Sequence, residues 1–563
     1  MEEQAASPSR EATRPATDRV IFGVTALLVL FFLSWGIASP ATLGTFAEAG
    51  LRWAVDGTGW GFALAATGFV VFVGWLALSR YGAIPLGGDD EQPEFHTLSW
   101  IAMMFIAGMG IGLMFFGVAE PLAHYVQPPP ETVPPLSQAA VRTSFATTLF
   151  HWTLHPWAIY AVVGLAIAYG AFRRGRRQMI SSTFVPLLGR RGAVKPLGKV
   201  IDILALLATL FGSAASLGIG TLQISSGMRS AGWIDAVGTP VLVLIIGVLT
   251  ICFVASAASG VARGIQWLSG INVVLAALLA LFVLITGPSV FILSLIPTSI
   301  GNYVSDFAEM AARSGATGSE AVDEWLSHWT IFYWAWWISW APFVGTFLAR
   351  ISRGRTIRQF IGGVLLVPSA VSVAWFAIFG GTAIDLQRSG SVDVAGSGGE
   401  EVQIFTVIRA LPIPTVITVL VIVLVAIFFI TGADSASLVM GKFSQRGTIS
   451  PRKWMIVFWG VATGSVAAIM LMSGGDHALE GIQNLTFLAS VPFALVMVLM
   501  CVALTKDLRT DSLIHRRERA EQILAKLADA DEHEPAHRDD ELRNNDAEPP
   551  RTPRRGENPP EHG

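Results

Sequence analysis

The sequence predicts an all-helical membrane protein that crosses the lipid bilayer about twelve times. Its 563 residues are 52% hydrophobic and only 14% charged, and the mean hydropathy is +0.56. The apolar residues are gathered in runs long enough to cross a hydrocarbon core of about 30 Å. Composition and run length together place the chain among polytopic membrane proteins rather than soluble domains.

Twelve apolar runs give the predicted membrane helices in chain order. A helix rises about 1.5 Å per residue, so a span needs roughly 20 residues. The predicted spans are 20–39, 59–79, 98–118, 144–171, 201–227, 239–257, 266–286, 328–348, 361–382, 415–440, 453–472 and 483–504. An even number of spans puts both termini on the same side of the membrane.

Basic residues are concentrated in alternate loops, which sets the orientation because such residues are retained in the cytoplasm. The basic loops contain Arg173, Arg174, Arg176, Arg177, Arg190, Arg191, Lys195, Lys199, Arg350, Arg353, Arg355, Arg358, Lys442, Arg446, Arg452 and Lys453. The intervening loops contain little more than Arg52, Arg142, Arg229, Arg313, Arg388 and Arg409. We therefore expect a multi-pass protein of the cell (inner) membrane with both termini cytoplasmic.

The chain divides into a cytoplasmic N-terminal tail at 1–19, a transmembrane domain at 20–504 and a charged cytoplasmic C-terminal tail at 505–563. Within the transmembrane domain, 288–315 is predicted to be an interfacial helix on the extracytoplasmic side, and 388–401 a Gly- and Ser-rich loop. Cys252 and Cys501 lie in apolar runs and form no metal-ligand pattern. The net charge of −3 gives no indication of nucleic-acid binding.

The eighth span contains an unusual density of tryptophan. Five rings fall within roughly a 100° arc of one helix: Trp329, Tyr333, Trp336, Trp337 and Trp340. A stripe of π-faces is a binding surface for quaternary ammonium cations. An interfacial aromatic belt explains Trp325 and Trp329, but the stripe runs about 16 Å, well toward the bilayer middle. The fourth span adds a second cluster, formed by Trp152, Trp157 and Tyr160 on one predicted helix face, for which a packed aromatic core is the alternative.

Glycine alternates with larger residues in the third span, at Gly108, Gly110 and Gly112, around Met109 and Ile111. Alternate glycines favour local unwinding of a helix. Unwound backbone at mid-membrane is tolerated only where it lines a cavity, in which its free amides and carbonyls can hold a substrate or an ion. Close helix packing is the alternative interpretation, since Gly108 and Gly112 also fit a packing motif.

Oxygen-bearing side chains within the spans favour a cation site. Asp434 lies among small and hydroxyl residues, and Thr209 and Ser213 share one face of the fifth span. Hard cations such as sodium prefer oxygen ligands, by analogy with calcium and magnesium. No Lys or Arg is placed mid-span as a counter-ion to a substrate carboxylate, so a substrate whose charges cancel is favoured. Coupled entry of sodium supplies about 2.3 kcal/mol per 100 mV of membrane potential.

The chain resembles the betaine/choline/carnitine transporter family from the first span to about Leu504. The resemblance rests on Gly108 to Gly112, on Ala119-Glu120-Pro121, on Trp152 to Tyr160 and above all on Thr330 to Arg358. It implies a LeuT-like core of two five-helix inverted repeats, at about 98–287 and 328–504, preceded by two extra helices. It also implies a homotrimer embedded in lipid.

The resemblance assigns functional residues. It places an aromatic box at Trp152, Trp157, Tyr160 and Trp337, with Trp340 at the substrate and Trp336 toward the outer gate. Backbone from Gly108 to Gly112, including Met109 and Gly110, would line the substrate site. One sodium site would use the carbonyls of Ile106, Met109 and Phe428 with the Thr431 hydroxyl. The second would use Thr209, Ser213 and Phe343.

Two glycines distinguish this sequence within the family pattern. Gly112 resembles the sodium-coupled glycine betaine members, whereas choline members have an acid in that place. Gly432 stands where sodium-coupled members usually have a serine that binds the ion, so the first sodium site lacks one ligand. The acidic C-terminal tail also differs from the strongly basic tail of osmosensing members.

The sequence therefore predicts a secondary active symporter that imports glycine betaine or a similar compatible solute with sodium, for osmoprotection. It has no cofactor other than sodium as the coupling ion, and it is not an enzyme, because the spans contain no paired carboxylates and no nucleophile with its base. The open alternatives are an ectoine- or proline-type symporter, a sodium-independent exchanger, a proton-coupled choline transporter of the same family, and a sensor that binds solute without moving it.

Overall fold

The computed structural model describes residues 17–108, 110–259, 262–316, 318–474 and 477–533. These residues form helices and loops with no β-strand among them, apart from one isolated bridge between Pro85 and Thr356. The helices are α1 (Arg19–Ala38), α2 (Pro40–Leu78), α3 (Thr97–Gly108), α4 (Ile111–Val126), α5 (Gln138–Trp152), α6 (Leu154–Ala168), α7 (Ile180–Thr183), α8 (Val185–Gly192), α9 (Pro196–Ser230), α10 (Thr239–Ser259), α11 (Ala262–Thr286), α12 (Ser289–Ala312), α13 (Glu320–Leu326), α14 (Phe332–Ile351), α15 (Ile357–Arg388), α16 (Glu400–Arg409), α17 (Pro414–Ser444), α18 (Lys453–Ser473), α19 (Ala478–Arg509) and α20 (Ser512–His533).

Within the described residues, eleven helical segments are long and apolar enough to cross a membrane. Ten of them coincide with ten of the twelve predicted spans, which confirms the all-α polytopic class. The predicted third span is divided between α3 and α4, neither of which is long enough alone. The predicted eighth span is present as α14, whose tryptophans and Pro342 lower its mean hydropathy.

The eleventh apolar segment is α12, where the sequence predicts an interfacial helix. Its 24 residues are long enough to cross, although its hydropathy of 1.2 is the lowest of the eleven. Because length and composition do not place a helix relative to lipid, the interfacial position stays a prediction. The loop predicted at 388–401 is shorter than expected, since α16 begins at Glu400.

Helix starts follow the capping chemistry of the sequence. The Asp18 carboxylate accepts hydrogen bonds from the backbone N–H groups of Val20 and Ile21 at the start of α1. Thr356 and Gln359 form a reciprocal capping box at the start of α15. These contacts satisfy N–H groups that have no partner within the helix.

The centre of the bundle is formed by α6, α9 and α14. Nearly all residues of α6 are buried, and α14 packs extensively against it, as α17 does against α9. In contrast, α1, α2 and α10 leave most of their apolar side chains exposed, as expected for helices that face lipid. The candidate functional residues lie on the central helices, where the surrounding packing fixes their side chains.

Three central segments depart from regular α-helix. Gly110 is extended just before α4, the chain is interrupted at Thr153 between α5 and α6, and a π-helical turn at Ser327–Ile331 leads into α14. The first break is the unwinding that the glycines predict. The break at Thr153 is not predicted, although Pro156 is a signal for it because proline cannot donate to the preceding turn.

The chain divides after Leu508 into a large unit and a C-terminal unit. The described part of the C-terminal unit is essentially α20, on which Ile523, Leu524 and Leu527 are exposed. The preceding helix α19 continues to Arg509, beyond the predicted end of the transmembrane domain at Leu504.

Candidate functional site

The break between α3 and α4 places backbone at the centre of the bundle. Gly110 is extended, with φ −166° and ψ −178°, and α4 begins at the next residue. Met109 lies outside the described residues, and Gly108 ends α3. A Cβ atom built on Gly112 would lie 2.9 Å from the ring of Trp152 and 3.1 Å from that of Trp336. Glycine is therefore required at 112 by the close approach of two indoles.

Four aromatic rings meet beside this break, as the resemblance predicts. The ring centroids of Trp152 and Trp337 are 4.9 Å apart, those of Tyr160 and Trp337 are 6.4 Å apart, and those of Trp157 and Tyr160 are 5.4 Å apart. All three pairs are nearly perpendicular, so the rings form walls rather than a stack. We call Trp152, Trp157, Tyr160 and Trp337 the cage; each is at most 6% exposed.

The cage encloses a cavity of about 60 Å³. Gly110, Gly112, Trp336 and Trp340 complete the part of its wall that the sequence predicts. The other lining residues are Leu113, Pro156, Ser216, Val344 and Ser372. The structure thus brings together every described aromatic residue of the predicted substrate site.

Hydrogen bonds hold the cage indoles in place. Trp337 donates to the carbonyl of His151 over 3.0 Å, and Trp340 donates to the carbonyl of Gly212 over 2.7 Å. The indole of Trp152 donates to Glu120. These bonds fix the ring orientations before any ligand arrives, which reduces the entropy lost on binding. The Trp336 indole nitrogen, in contrast, is buried without a hydrogen-bond partner.

A second layer of rings closes the cage on the side of α4 and the start of α14. Trp336 stacks on Trp337 with centroids 4.7 Å apart, and Tyr333 lies 5.7 Å from Trp337. Phe116 packs edge-on against Tyr333 and Trp336. Trp329, which an interfacial belt also explains, is buried and lies 4.6 Å from the ring of His124.

Glu120 is a buried carboxylate beside the cage that sequence reasoning missed as a site residue. One oxygen accepts from the Trp152 indole and the Tyr333 hydroxyl, both at 2.5 Å. The other lies 2.7 Å from Nδ1 of His151. The predicted third span ends at Val118, so Glu120 is placed outside the membrane, where a carboxylate is ordinary. One sequence signal could have identified Glu120 as a site residue, because Ala119-Glu120-Pro121 is among the strings that carry the family resemblance.

A larger cavity of about 160 Å³ adjoins the cage. It lies between α9, α11, α14 and α17. Gly110, Ser216, Trp340 and Val344 line both cavities, so the two share a wall. The remaining lining residues are Ile111, Ser213, Leu217, Ser269, Asn272, Val273, Phe343, Phe347, Phe428, Thr431, Gly432 and Ser435. We call this the hydroxyl cavity.

Predicted residues of both sodium sites line the hydroxyl cavity. Phe428, Thr431 and Gly432 come from the first predicted site, and Ser213 and Phe343 from the second. The buried Ser213 hydroxyl has no hydrogen-bond partner, whereas the Thr431 hydroxyl donates to the carbonyl of Ile427 over 2.9 Å and keeps its lone pairs free. A donor set of hydroxyl and carbonyl oxygens suits a hard cation.

Three predicted sodium ligands remain: Thr209, Ile106 and Met109. Thr209 is fully buried and donates to the carbonyl of Ala205, and it is not among the residues that line the cavity. Ile106 belongs to α3, but its side chain is outside the described part of the chain, as is all of Met109. At Gly432, which stands where the family usually has a serine, there is room for a side chain. A Cβ atom built there would meet nothing within 4 Å.

Asp434, a candidate from its intramembrane position, lies elsewhere. It is on α17 between Gly432 and Ser435 of the hydroxyl cavity, yet it lines neither cavity. The carboxylate near the cage is Glu120 instead.

Comparisons with known proteins agree with this geometry. The sequence model of a family described as "BCCT, betaine/carnitine/choline family transporter" matches residues 20–513. The chain is 44% identical over 513 residues to the betaine/ectoine transporter LcoP of Corynebacterium glutamicum, covering 90% of this chain and 80% of LcoP. It is 44% identical over 491 residues to the glycine betaine transporter OpuD of Bacillus subtilis, covering 87% of this chain and 93% of OpuD.

A solved structure also shows a weak likeness. It is the substrate-bound, outward-open state of a Na⁺-coupled sialic acid symporter, with a TM-score of 0.44 and 12% identity over 78% of this chain and 86% of that one.

Proposed function

This chain belongs to the betaine/carnitine/choline transporter family, and from that premise we propose that it imports glycine betaine or a related compatible solute together with sodium. Family membership makes the chain a multi-pass membrane transporter. The relatives are named as transporters, which confirms the expectation that it is not an enzyme.

The cage is the observation that carries the choice of substrate class. Ring faces attract a quaternary ammonium group through their π-electron density, by about 2 kcal/mol where water is excluded. The near-perpendicular walls of Trp152, Tyr160 and Trp337 allow one cation to contact several ring faces at once. All the cage residues are almost fully buried, so the attraction is not weakened by solvent.

The uncharged lining of the two cavities favours a zwitterionic substrate. Neither cavity is lined by a Lys, Arg, Asp or Glu among the described residues. A substrate that carries a cationic nitrogen and a carboxylate brings no net charge into this environment, and its carboxylate can meet the free backbone amides of the break at Gly110. A net cation such as choline would enter without a fixed counter-charge in the cavity wall.

The hydroxyl cavity supports the proposal of sodium coupling. Ser213, Thr431 and nearby carbonyls offer oxygen ligands next to the cage, and the break between α3 and α4 borders both cavities. Sodium bound there would favour one arrangement of the broken helix. Each sodium that enters adds about 2.3 kcal/mol per 100 mV to solute accumulation.

Uptake of labelled glycine betaine into proteoliposomes tests the proposal. We expect accumulation when an inward sodium gradient is imposed, and little uptake when potassium replaces sodium on both sides. Equal uptake without sodium, driven by internal solute, would instead establish an exchanger. Uptake of choline driven by a proton gradient would reject the assignment of substrate and of coupling ion together.

Ectoine is the second candidate substrate because the 44% identical relative LcoP is named a betaine/ectoine transporter. Its cationic amidine and carboxylate are close in charge to glycine betaine but differ in bulk. Competition by unlabelled ectoine and proline against labelled glycine betaine ranks the substrates. Binding without accumulation in the same vesicles would indicate a sensor.

We further propose that the protein is a homotrimer in the cell membrane with both termini cytoplasmic. The orientation rests on the basic residues of alternate loops, and the trimer on family resemblance. Cross-linking in native membranes followed by mass measurement tests the trimer. Protease cleavage of the C-terminal tail in inside-out vesicles, but not in right-side-out ones, tests the orientation.

A further inference from the structure

Two histidines and Glu120 form a buried cluster behind the cage, and only the bond from Trp152 to Glu120 has a part in the proposed transport function. The cluster comprises Glu120 and His124 on α4 and His151 on α5. Their Oε1, Nε2 and Nδ1 atoms all lie within 4.8 Å of one another. Each side chain is 0% exposed. Glu120 and His124 are four residues apart, so the helix places them on the same face.

His124 is the member of this cluster whose ring nitrogens lack hydrogen-bond partners. Both of its ring nitrogens are buried without a hydrogen-bond partner, and Nε2 is 3.5 Å from Glu120 Oε1. An unsatisfied polar group in the interior destabilises the folded state. The imidazole is therefore poised for a partner that the protein itself does not supply, and its Nε2 is close to the carboxylate oxygen that also faces His151.

From this arrangement we infer that Glu120, His124 and His151 form a site for a transition-metal ion of the zinc class. Two imidazole nitrogens and one carboxylate oxygen are a donor set typical of Zn²⁺. Calcium, magnesium and sodium prefer all-oxygen sites, so the cluster is chemically distinct from the hydroxyl cavity. Three protein ligands leave a fourth tetrahedral position for water.

The distances suit zinc after small movements. Zinc bonds of about 2.0–2.2 Å place tetrahedral donor atoms about 3.3–3.5 Å apart. The Glu120–His124 separation is 3.5 Å, and the Glu120–His151 separation of 2.7 Å would have to open by about 0.6 Å. The donor atoms of His124 and His151 lie within 4.8 Å of each other, and rotation of the imidazoles and the carboxylate is the movement that would bring all three donors to this spacing.

Outer hydrogen bonds orient two of the three proposed ligands. The second ring nitrogen of His151 lies 3.0 Å from the Thr330 hydroxyl, which can fix the tautomer that leaves Nδ1 free for the metal. Glu120 accepts from Trp152 and Tyr333 through Oε2, so Oε1 is the oxygen available to the ion. The Glu120 carboxylate would then contact the metal through Oε1 and the cage residue Trp152 through Oε2.

The site is covered by aromatic rings, which predicts slow exchange. The rings of Trp329 and Trp325 lie 4.6 and 5.5 Å from that of His124, and the Arg313 guanidinium lies over Trp325. An ion enters only when these rings move. The measurement therefore has to reach equilibrium over hours rather than seconds.

Zinc binding by the purified full-length protein tests the inference. Protein isolated through a tag without histidine is stripped with a chelator, dialysed to equilibrium against zinc chloride in the low micromolar range, and assayed for bound metal by mass spectrometry. We expect about one more zinc per chain for the wild type than for His124→Gln. The matched control His477→Gln, in an exposed histidine, should bind as the wild type does.

Two further measurements separate ligation from a general loss of structure. Cobalt substituted for zinc should give the visible absorption of a four-coordinate ion in the wild type and not in His124→Gln. Thr330→Val, which keeps all three ligands, should weaken zinc binding about tenfold through loss of the outer hydrogen bond. A wild type that binds no zinc, or that binds as much as a folded His124→Gln variant, overturns the inference.

Discussion

The cage and the hydroxyl cavity share a wall but differ in how their polar side-chain atoms are hydrogen-bonded. In the cage, the indoles of Trp152 and Trp337 are each tied to a hydrogen-bond acceptor on another segment of the chain. In the hydroxyl cavity, Thr431 donates only to its own helix and Ser213 has no partner. The cage is thus preorganised, whereas the hydroxyls depend on an incoming ion for their remaining interactions.

This difference indicates how the two regions divide the work of transport. A preorganised aromatic site gives selectivity for the solute because little has to be rearranged on binding. A set of hydroxyls beside a broken helix gives sensitivity to a small cation, since the ion itself draws the ligands together. Changes in the cage should therefore alter solute affinity most, and changes in the hydroxyl cavity should alter sodium dependence.

The largest effect is expected for Trp337→Leu. This substitution removes a cage wall, the hydrogen bond to the His151 carbonyl and the stacking with Trp336. Loss of about 2 kcal/mol of cation–π attraction corresponds to an approximately thirtyfold weaker apparent affinity for glycine betaine. Trp60→Leu, on an exposed indole of α2, is the control and should leave affinity unchanged. Unchanged affinity in Trp337→Leu would reject the cage as the substrate site.

The next effect is expected for Gly112→Ala. The added Cβ would lie 2.9 Å from Trp152 and 3.1 Å from Trp336, closer than van der Waals contact. Overpacking of this kind costs about 1–3 kcal/mol. We expect roughly tenfold weaker solute affinity in the uptake assay, with sodium dependence unchanged. The control is Gly362→Ala on α15, where a Cβ meets nothing within 4 Å. A change in sodium dependence alone would contradict the division between the two regions.

Gly432→Ser tests the hydroxyl cavity directly. A side chain fits there without a clash, and the serine hydroxyl adds an oxygen beside Thr431. If that oxygen contributes about 0.7 kcal/mol, half-maximal uptake should require about threefold less sodium. Gly432→Ala fills the same space without an oxygen and should not show this gain. Equal responses of the two variants would show that packing, rather than ligation, controls sodium dependence.

The smallest effect is expected on the pH dependence of stability, through Glu400 at the start of α16, a helix that packs against α4. Burial raises the pKa of Glu400 to about 8, and the nearby Glu120 and Glu401 add to the shift. The folded state then holds a proton that the unfolded chain releases above its ordinary pKa of 4.5, so stability is greatest below that pH and falls as pH rises toward 8.

Thermal unfolding in detergent measures this pH dependence. We expect the midpoint of the wild type to fall by about 1–2 °C more than that of Glu400→Gln between pH 6 and pH 8.5. Glu324→Gln, an exposed residue of α13, should behave as the wild type. Parallel curves for wild type and Glu400→Gln would show that Glu400 carries no such proton.

Much of the cage was predictable because its residues have an uncommon composition at regular spacing. The arc through Tyr333, Trp336 and Trp337 follows from helical periodicity, and the three rings do lie together. The break at Gly110 follows from alternating glycines. The break at Thr153 was not predicted, because the fourth apolar run continues on both sides of it and Pro156 is the single signal of an interruption.

Residues whose importance depends on a partner from another helix were the ones missed. Glu120 is an ordinary acid in the sequence and becomes distinctive only when Trp152 and Tyr333 donate to it. Asp434 shows the converse, since an ionisable residue in an apolar run looked functional but lines neither cavity. Sequence spacing indicates which side chains share a face of one helix, but not which face meets which helix.

The sequence by itself determined that this protein is a bundle of membrane helices, because apolar runs in lipid must satisfy their backbone hydrogen bonds internally. It also determined that aromatic rings and glycines concentrate in the third, fourth and eighth spans. Only the tertiary structure decided that these rings face one another around a cavity, and that Glu120, His124 and His151 meet behind it. The physical reason is that such contacts join residues far apart in the chain, so they exist only after the helices have packed.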